Sequence, residues 1–240
     1  MMPWAILTGE YPPQPGGVSD YTRNVARGLA QAGQAVRVFA PACVGADPAD
    51  AGVRVQRLSG GFGARGLKRL GAELATAGAQ DRLLVQYAPH AFGWKGMNVP
   101  FCLWLRARKE QLWVMFHEVA FPRSKGQPLK HRLLADVQRK MAVLAARRAN
   151  RILVSTPAWE PYLREIAGDL PPPTWLPVPS NLPTEAEPER VRAVRARFAK
   201  DALLIGHFGT YAESIRATLT RVLPEVLEAG KNRQALLLGR

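Results

Sequence analysis

The sequence lacks several features that would assign this 240-residue chain to a specialised class of protein. Only two cysteines occur, Cys43 and Cys102, and they are far apart and lack the spacing of metal ligands. This usage excludes a disulfide framework and a zinc-finger type of site, and it favours a reducing, cytoplasmic setting. The fully apolar runs, such as those at residues 101–105 and 112–116, are far shorter than the roughly 20 residues that span a bilayer.

Acidic residues are also scarce, and the basic excess is unevenly placed. The chain has 19 Asp and Glu against 33 Lys and Arg, so its formal net charge is +14. Twelve basic but only three acidic residues lie between Cys102 and Arg151. This segment is either a solvated face of an arginine-rich protein or a surface for anionic partners such as lipid headgroups, a phosphorylated acceptor or nucleic acid. Charge alone does not choose between these interpretations.

Short β-rich apolar runs alternate with helical patterns along most of the chain. Strands separated by crossover helices predict an α/β fold with a doubly wound, parallel, Rossmann-like sheet. In the longest helix, Leu129, Leu133, Val137, Met141 and Leu144 recur at helical spacing and are predicted to form its buried face. The predicted strands are residues 3–7, 36–40, 53–58, 83–87, 112–116, 152–155 and 175–178, and the predicted helices are 18–32, 67–77, 99–108, 129–149 and 158–166.

A proline-dense stretch separates this pattern from a second, shorter one. Seven prolines occur between Pro171 and Pro188, which is typical of a semi-rigid linker. The pattern then restarts with helices at 189–199 and 213–229 and strands at 203–208 and 235–238. We therefore predict one domain at 1–182 and a linker with the first β-α-β portion of a truncated domain at 183–240. A lone β-α-β unit cannot bury both faces of its strands, so its edge is a candidate for self-association.

The loop from Gly9 to Val18 joins the first predicted strand to the first helix. Its adjacent glycines, Gly16 and Gly17, allow backbone amides at the start of a helix to approach an anion, and the helix dipole favours negative charge there. The alternative is a tight helix-entry turn with no ligand. The spacing Gly-x-Gly-x-x-Gly is absent, which counts against a nicotinamide-dependent dehydrogenase.

Two further candidates follow predicted strands and so belong to the same edge of the sheet. His117 and Glu118 come directly after the strand at 112–116, where a histidine can hydrogen-bond a sugar hydroxyl and a carboxylate can orient it or meet the acceptor. His90 follows the strand at 83–87. The alternative interpretation is that each of these residues is an ordinary surface or packing residue of a loop.

The residues in these segments resemble those of the group 1 (glycogen-synthase-like) glycosyltransferases, which have the GT-B fold. The resemblance begins with Glu-Tyr-Pro-Pro-Gln-Pro-Gly-Gly-Val-Ser-Asp-Tyr at residues 10–21 and covers essentially the whole chain in order. The opening segment is fairly specific, whereas the later ones are individually weak. They are residues 24–33, 36–41, 117–118, 152–155, 177–181 and 205–209.

This resemblance implies a retaining, metal-independent transfer of a sugar from a nucleoside-diphosphate sugar to an acceptor such as a lipid-linked or polysaccharide glycan. It implies no cofactor, an acceptor-side N-terminal lobe and a nucleotide-holding C-terminal lobe. It also implies that Gly16 and Gly17 lie against the donor diphosphate, that His117 lies near the donor sugar, and that Tyr21 and His90 belong to the acceptor side. Backbone amides that offset the charge of a leaving diphosphate make a cation unnecessary.

Three departures from the family pattern weaken the expected donor site. Only Arg216 is available where the family has an Arg and a Lys that grip the phosphates, and a pair of glutamates further on is missing. The linker carries Pro-Val-Pro-Ser-Asn at 177–181 in place of an Asn-Gly-Val motif. We therefore expect these 240 residues by themselves to bind the donor poorly and to turn over little.

The basic segment at residues 121–132 directly follows the His117–Glu118 edge. Its cations, and those at the start of the next helix, suggest docking to an anionic inner membrane surface or to a phosphate-bearing acceptor. The alternative is a solvated loop, and an alternative function for the chain is a non-catalytic basic module that binds nucleic acid or anionic surfaces. No nucleic-acid-binding motif is present, so we expect no nucleic-acid partner. The residues concerned are Arg123, Lys125, Lys130 and Arg132.

Overall fold

The computed structural model describes residues 3–77, 82–181, 185–209 and 211–239. The chain divides into two compact units, Met1–Asn181 and Leu182–Arg240, which we call unit 1 and unit 2. Each unit has its own parallel sheet, of seven strands in unit 1 and two in unit 2.

Unit 1 is built on a parallel sheet with the strand order β3-β2-β1-β4-β5-β6-β7. The chain starts in the middle, adds strands to one side and then crosses over to add the remaining strands to the other. The predicted doubly wound α/β fold is therefore confirmed. The strands are β1 (Trp4–Thr8), β2 (Val36–Pro41), β3 (Val53–Leu58), β4 (Arg82–Tyr87), β5 (Gln111–Phe116), β6 (Arg151–Val154) and β7 (Thr174–Trp175).

Helices cover both faces of this sheet. Alternate residues of β1 point to opposite faces, so Trp4 and Ile6 join the core under α1 whereas Ala5 and Leu7 join the larger core under the other helices. Two short 3-10 turns, at Pro89–Phe92 and Trp94–Gly96, follow β4. The helices are α1 (Gly17–Gln31), α2 (Ala64–Ala77), α3 (Val99–Arg106), α4 (Leu129–Arg148) and α5 (Trp159–Ala167).

The buried face of α4 differs in part from the predicted one. Met141 is fully buried, and Val137 and Leu144 are partly buried against the core, as predicted. Leu129, at 81% exposed, and Leu133, at 58% exposed, face solvent instead. The other fully buried residues of this helix are small or polar: Ala135, Gln138, Ala142, Ala145 and Ala146. Alanines allow the helix to approach its neighbours closely, so packing of the backbone rather than the leucine spacing determines which face is inside.

Unit 2 contains α6 (Pro188–Phe198), β8 (Leu203–Gly209), α7 (Glu213–Glu228) and β9 (Arg233–Gly239). Helix α7 connects β8 to β9, and the two strands pair in parallel, as in the predicted β-α-β unit. Among its described residues only Ala199 and Ala202 are buried apolar side chains. Apolar side chains of both strands and of α6 therefore face solvent within this unit.

The proline-dense stretch contains less regular structure than predicted. The strand expected at 175–178 is limited to Thr174–Trp175, which pairs with β6. Residues 182–184 of this stretch lie outside the described residues. None of the helices in the described ranges is long and apolar enough to cross a membrane.

Candidate active site

The central strands of unit 1 bring the candidate loops to one edge of the sheet. Strands β1, β4 and β5 are neighbours, and they end at Thr8, Tyr87 and Phe116. Because the strands are parallel, the loops that follow them leave from the same edge. The structure thus places the glycine loop, the turn with His90 and the pair His117–Glu118 beside one another.

His117 is held by several contacts of its backbone and its ring. Its N–H donates to Tyr87 O at 3.0 Å, and its carbonyl oxygen accepts from Ser155 Oγ at 3.2 Å and Trp159 Nε1 at 3.0 Å. Ring Nε2 lies 2.7 Å from Gln86 Oε1. The ring also makes an edge contact with Tyr21, with centroids 4.9 Å apart. The hydrogen bond to Gln86 and the contact with Tyr21 hold the imidazole in this orientation.

The surroundings of His117 favour its neutral form. Burial lowers the pKa of His117 to about 4, because the imidazolium would lose its hydration. Burial likewise raises the pKa of Tyr21, its ring partner. Both groups are therefore uncharged at neutral pH, and His117 is available for hydrogen bonding rather than as a cation.

The glycine loop is occupied in part by a side chain of the protein itself. Ser19 N–H, at the third position of α1, donates to Glu10 Oε1 at 3.1 Å. A Cβ at Gly16 would collide with the Glu10 carboxylate, whereas one at Gly17 would meet open space. One amide of this helix terminus is thus satisfied internally, and the carboxylate lies where an anion was predicted.

Further hydrogen bonds fix the shape of this loop. Thr8 Oγ1 donates to Glu10 O at 2.7 Å, and Ser19 Oγ donates to Gln14 O at 2.6 Å. From β3, Arg57 donates to Pro12 O at 2.6 Å and lies over the ring of Tyr11. The loop is therefore braced by the sheet and by α1.

A cavity of about 400 Å³ opens at this edge. Two carboxylates, Glu10 and Glu118, and the imidazole of His90 line it together with Gln14 and Val18. Glu118 and His90 are exposed. The structure therefore brings Glu118 and His90 to one cavity, whose polar groups suit hydroxyl groups of a ligand.

A second cavity, of about 340 Å³, shares part of this lining. Its wall includes the loop from Gly60 to Gly63 and the side chain of Trp94, which is 58% exposed. Trp94 has a left-handed backbone with φ of 53°, a conformation that non-glycine residues adopt at a cost and that is frequent at binding sites. Sequence reasoning missed both features, although the glycine-rich run after β3 was a visible signal.

The basic segment lies on the surface of unit 1 beside α4. Arg123, Lys125, Lys130 and Arg132 are exposed, and Arg123 pairs with Asp136 at 2.9 Å. The buried Gln138 of α4 accepts from Phe121 N–H at 2.7 Å, and its Nε2 lies 3.1 Å from Gly96 O and 3.3 Å from His90 Nε2. Gln138 therefore ties the segment to the turn that carries His90.

Arg216 lies in α7 of unit 2. Its side chain is exposed and pairs with Glu213 three residues before it. An exposed pair of this kind exchanges readily with other partners, because surface ion pairs are worth little. The predicted role of Arg216 at the donor stays a prediction.

Another cavity of unit 1, of about 740 Å³, does not include any of the predicted site residues. Residues of α3, α4 and α5 line it, among them Val137, Val143 and Ile166. We place the site at the strand edge instead, because the polar and titratable groups converge there.

Residues 16–181 match the family model described as the glycosyl transferase 4-like domain, and this range covers most of the chain. The chain belongs to this family. It is a glycosyltransferase. The comparison with curated protein sequences gives no match.

Solved structures show the same fold. HepE of Anabaena, in complex with UDP-glucose, has a TM-score of 0.61 and 13% identity over 100% of this chain and 70% of its own. An alpha-glucosyltransferase in complex with UDP and a 13-mer DNA has a TM-score of 0.54 and 12% identity over 99% and 67%. At these identities the similarity is one of fold, and this glycosyltransferase has the GT-B fold.

Proposed function

We propose that this glycosyltransferase takes its sugar from a nucleoside-diphosphate sugar, and that unit 1 is the acceptor-side lobe and unit 2 part of the donor-side lobe. The observation that carries the proposal is the convergence of the glycine loop, His117 and Glu118 at one edge of the sheet in a chain of this family. The structures of HepE with UDP-glucose and with UDP and glucose support the choice of donor class.

The proposed chemistry uses groups that need no metal ion. The diphosphate displaces the Glu10 carboxylate from Ser19 N–H, so that amides at the start of α1, around Gly16 and Gly17, stabilise the charge that builds on the leaving group. Arg216 is the proposed phosphate-binding cation. His117 and Glu118 contact the reacting sugars. Retention at the anomeric carbon and independence of metal are part of the proposal.

A donor screen tests the proposal directly. We expect one of UDP-, GDP-, ADP- or dTDP-sugars to raise the melting temperature of the protein, since a ligand that binds only the folded state stabilises it. His117→Ala should reduce the shift for the nucleotide sugar but not for the free nucleoside diphosphate. The absence of a shift with all four donors at millimolar concentration would contradict the proposed donor class.

Three further measurements test metal independence, the stereochemistry of the transfer and the acceptor side of the site. Activity that is unchanged by EDTA supports metal independence, and loss of activity that Mg²⁺ restores would refute it. The anomeric configuration of the first product, read by NMR before mutarotation, distinguishes retention from inversion. His90→Ala should raise KM for the acceptor more than KM for the donor, because His90 lines the cavity at the strand edge.

We also propose that the basic segment docks on an anionic membrane surface at which a lipid-linked glycan acceptor is found. The favouring observation is that Leu129 and Leu133 are exposed on α4 next to Lys130 and Arg132. Apolar side chains flanked by cations are typical of interfacial helices. Placement at the cytoplasmic face of a membrane and a role in polysaccharide biosynthesis are separate parts of the proposal.

Vesicle co-sedimentation tests the membrane docking. The protein should bind vesicles with anionic lipid at low salt, and a Lys130→Glu, Arg132→Glu variant should lose this binding. Arg54→Glu is the matched control, because Arg54 is an exposed basic residue of β3 outside this segment, and this variant should bind as before. Equal binding to neutral and anionic vesicles would refute the proposal.

A further inference from the structure

Gln86 is an isolated polar residue in an otherwise apolar strand. In β4 the sequence reads Arg-Leu-Leu-Val-Gln-Tyr, and the side chains from Leu83 to Tyr87 are all buried. Gln86 itself has no solvent-accessible surface. A buried amide is costly unless its hydrogen bonds are made, so its presence calls for an explanation.

The sheet register explains where the amide points. Gln86 pairs with Thr8 of β1 and Met115 of β5, and the alternation along β5 turns His117 to the same face as Met115. Tyr21 of α1 lies on this face against His117. Gln86 is thus enclosed between the sheet and α1, directly behind the imidazole.

The side-chain amide of Gln86 makes one hydrogen bond through its oxygen, and its NH2 group has no partner in the part of the chain that the structure describes. Gln86 Oε1 lies 2.7 Å from His117 Nε2, whereas Gln86 Nε2 is buried with no partner among the described residues. An unsatisfied buried group is unfavourable, and a leucine would avoid it while filling a similar volume. The contact to His117 is therefore what the amide contributes at this position.

The bond determines the tautomer of the histidine. A carboxamide oxygen accepts only, so His117 Nε2 carries the proton and Nδ1 carries the lone pair. We propose that Gln86 is a positioning residue that holds His117 as the Nε2–H tautomer, so that Nδ1 accepts a hydrogen bond from a hydroxyl group of the bound sugar.

This inference rests on the proposed function only for the identity of the ligand. The titratable groups beside the imidazole are Tyr21, in ring contact, and Glu118, the next residue in the chain. A neutral imidazole with its lone pair free cannot donate to a phosphate oxygen at Nδ1. Nδ1 therefore binds a group that donates a hydrogen bond. A sugar hydroxyl can donate such a bond, whereas an ionised diphosphate cannot.

NMR of the ring nitrogens tests the tautomer without any substrate. In the unliganded protein the His117 nitrogens, assigned by their loss in His117→Asn, should show a protonated Nε2 and an unprotonated Nδ1 at pH 7. A protonated Nδ1 would mean that the amide has the opposite orientation, and the proposal would be overturned. This outcome is independent of whether nucleotide sugars bind.

Two variants test the role of the amide. Gln86→Glu keeps an acceptor at the same place and should retain the Nε2–H tautomer while raising the pKa of His117. Gln86→Leu removes the acceptor and should give a mixture of tautomers. Gln138→Leu is the matched control for the NMR measurement, because Gln138 is equally buried but contacts Gly96, Phe121 and His90 rather than His117. It should leave the His117 signals unchanged.

Binding then separates the inference from the proposed function. For a nucleotide sugar that binds, Gln86→Leu should weaken affinity about tenfold, as loss of one hydrogen bond predicts, with no change for the free nucleoside diphosphate. An equal loss for both ligands would overturn the positioning role. Absence of any donor binding would refute the proposed function and leave the tautomer result standing.

Discussion

At the scale of single residues, two adjacent glycines have different surroundings. A Cβ on Gly16 would collide with the Glu10 carboxylate, and one on Gly17 would meet nothing. Gly16→Ala should therefore displace Glu10 from Ser19 N–H and lower the free energy of unfolding by about 1 kcal/mol. Gly17→Ala should change it by less than about 0.5 kcal/mol. Urea unfolding of both variants measures the difference, and equal effects would contradict the described loop.

A second residue-scale prediction concerns the pair of Arg23 and Asp50. Arg23 Nε lies 2.8 Å from Asp50 Oδ2, and this hydrogen bond holds the pKa of Asp50 below its usual value. The folded pKa is the lower one, so the stabilisation is present above the unfolded pKa of about 3.9 and is lost as pH falls through the folded pKa.

Arg23→Gln should accordingly lower the free energy of unfolding by about 1 kcal/mol at pH 7, with a smaller effect at pH 3. Arg27→Gln is the control, because Arg27 Nε lies 3.6 Å from Asp50 Oδ1 and should contribute less. Urea unfolding at both pH values measures these effects. A loss that is the same at pH 3 and pH 7 would show that the ion pair is not its cause.

At the scale of elements, α4 shows how packing overrides periodicity. Met141 is fully buried in the larger core, whereas Leu133, which has the same place in the leucine pattern, is mostly exposed. Met141→Ala should lower the free energy of unfolding by about 2–4 kcal/mol, since it leaves a cavity. Leu133→Ala should change it by less than about 0.5 kcal/mol. Chemical denaturation of the two variants measures both losses. A larger loss for Leu133→Ala than for Met141→Ala would contradict the described buried face of α4.

At the scale of the whole molecule, the two units differ in how much apolar surface they bury. Both described core clusters consist of unit 1 residues, whereas in unit 2 Phe208 is 70% exposed and Leu238 is also exposed. We expect these side chains to promote concentration-dependent self-association of the chain.

Sedimentation velocity of Phe208→Ser and Leu238→Lys should show a smaller associated fraction than the parent chain does. Val44→Ser is the control, since Val44 is 98% exposed but lies in a loop of unit 1. A parent chain that sediments as a monomer throughout, or variants that associate as strongly as the parent, would refute this expectation.

The order and type of the elements could be read from the residue pattern, because strand and helix periodicities are local properties of the chain. The regular strands and the long helices of unit 1 were therefore predicted closely, and the loops at strand ends identified the edge that carries the site. The two 3-10 turns after β4 were missed, since they depend on local turn geometry.

Only the tertiary structure decided which residues meet at that edge. Gln86 is placed behind His117 by the register of three strands, and Glu10 reaches Ser19 because α1 turns back over β1. Leu129 and Leu133 of α4 were assigned inward on spacing alone, but the alanine face packs closer to the neighbouring helices. Such contacts join residues distant in sequence, and they follow from strand order and packing, which no local pattern encodes.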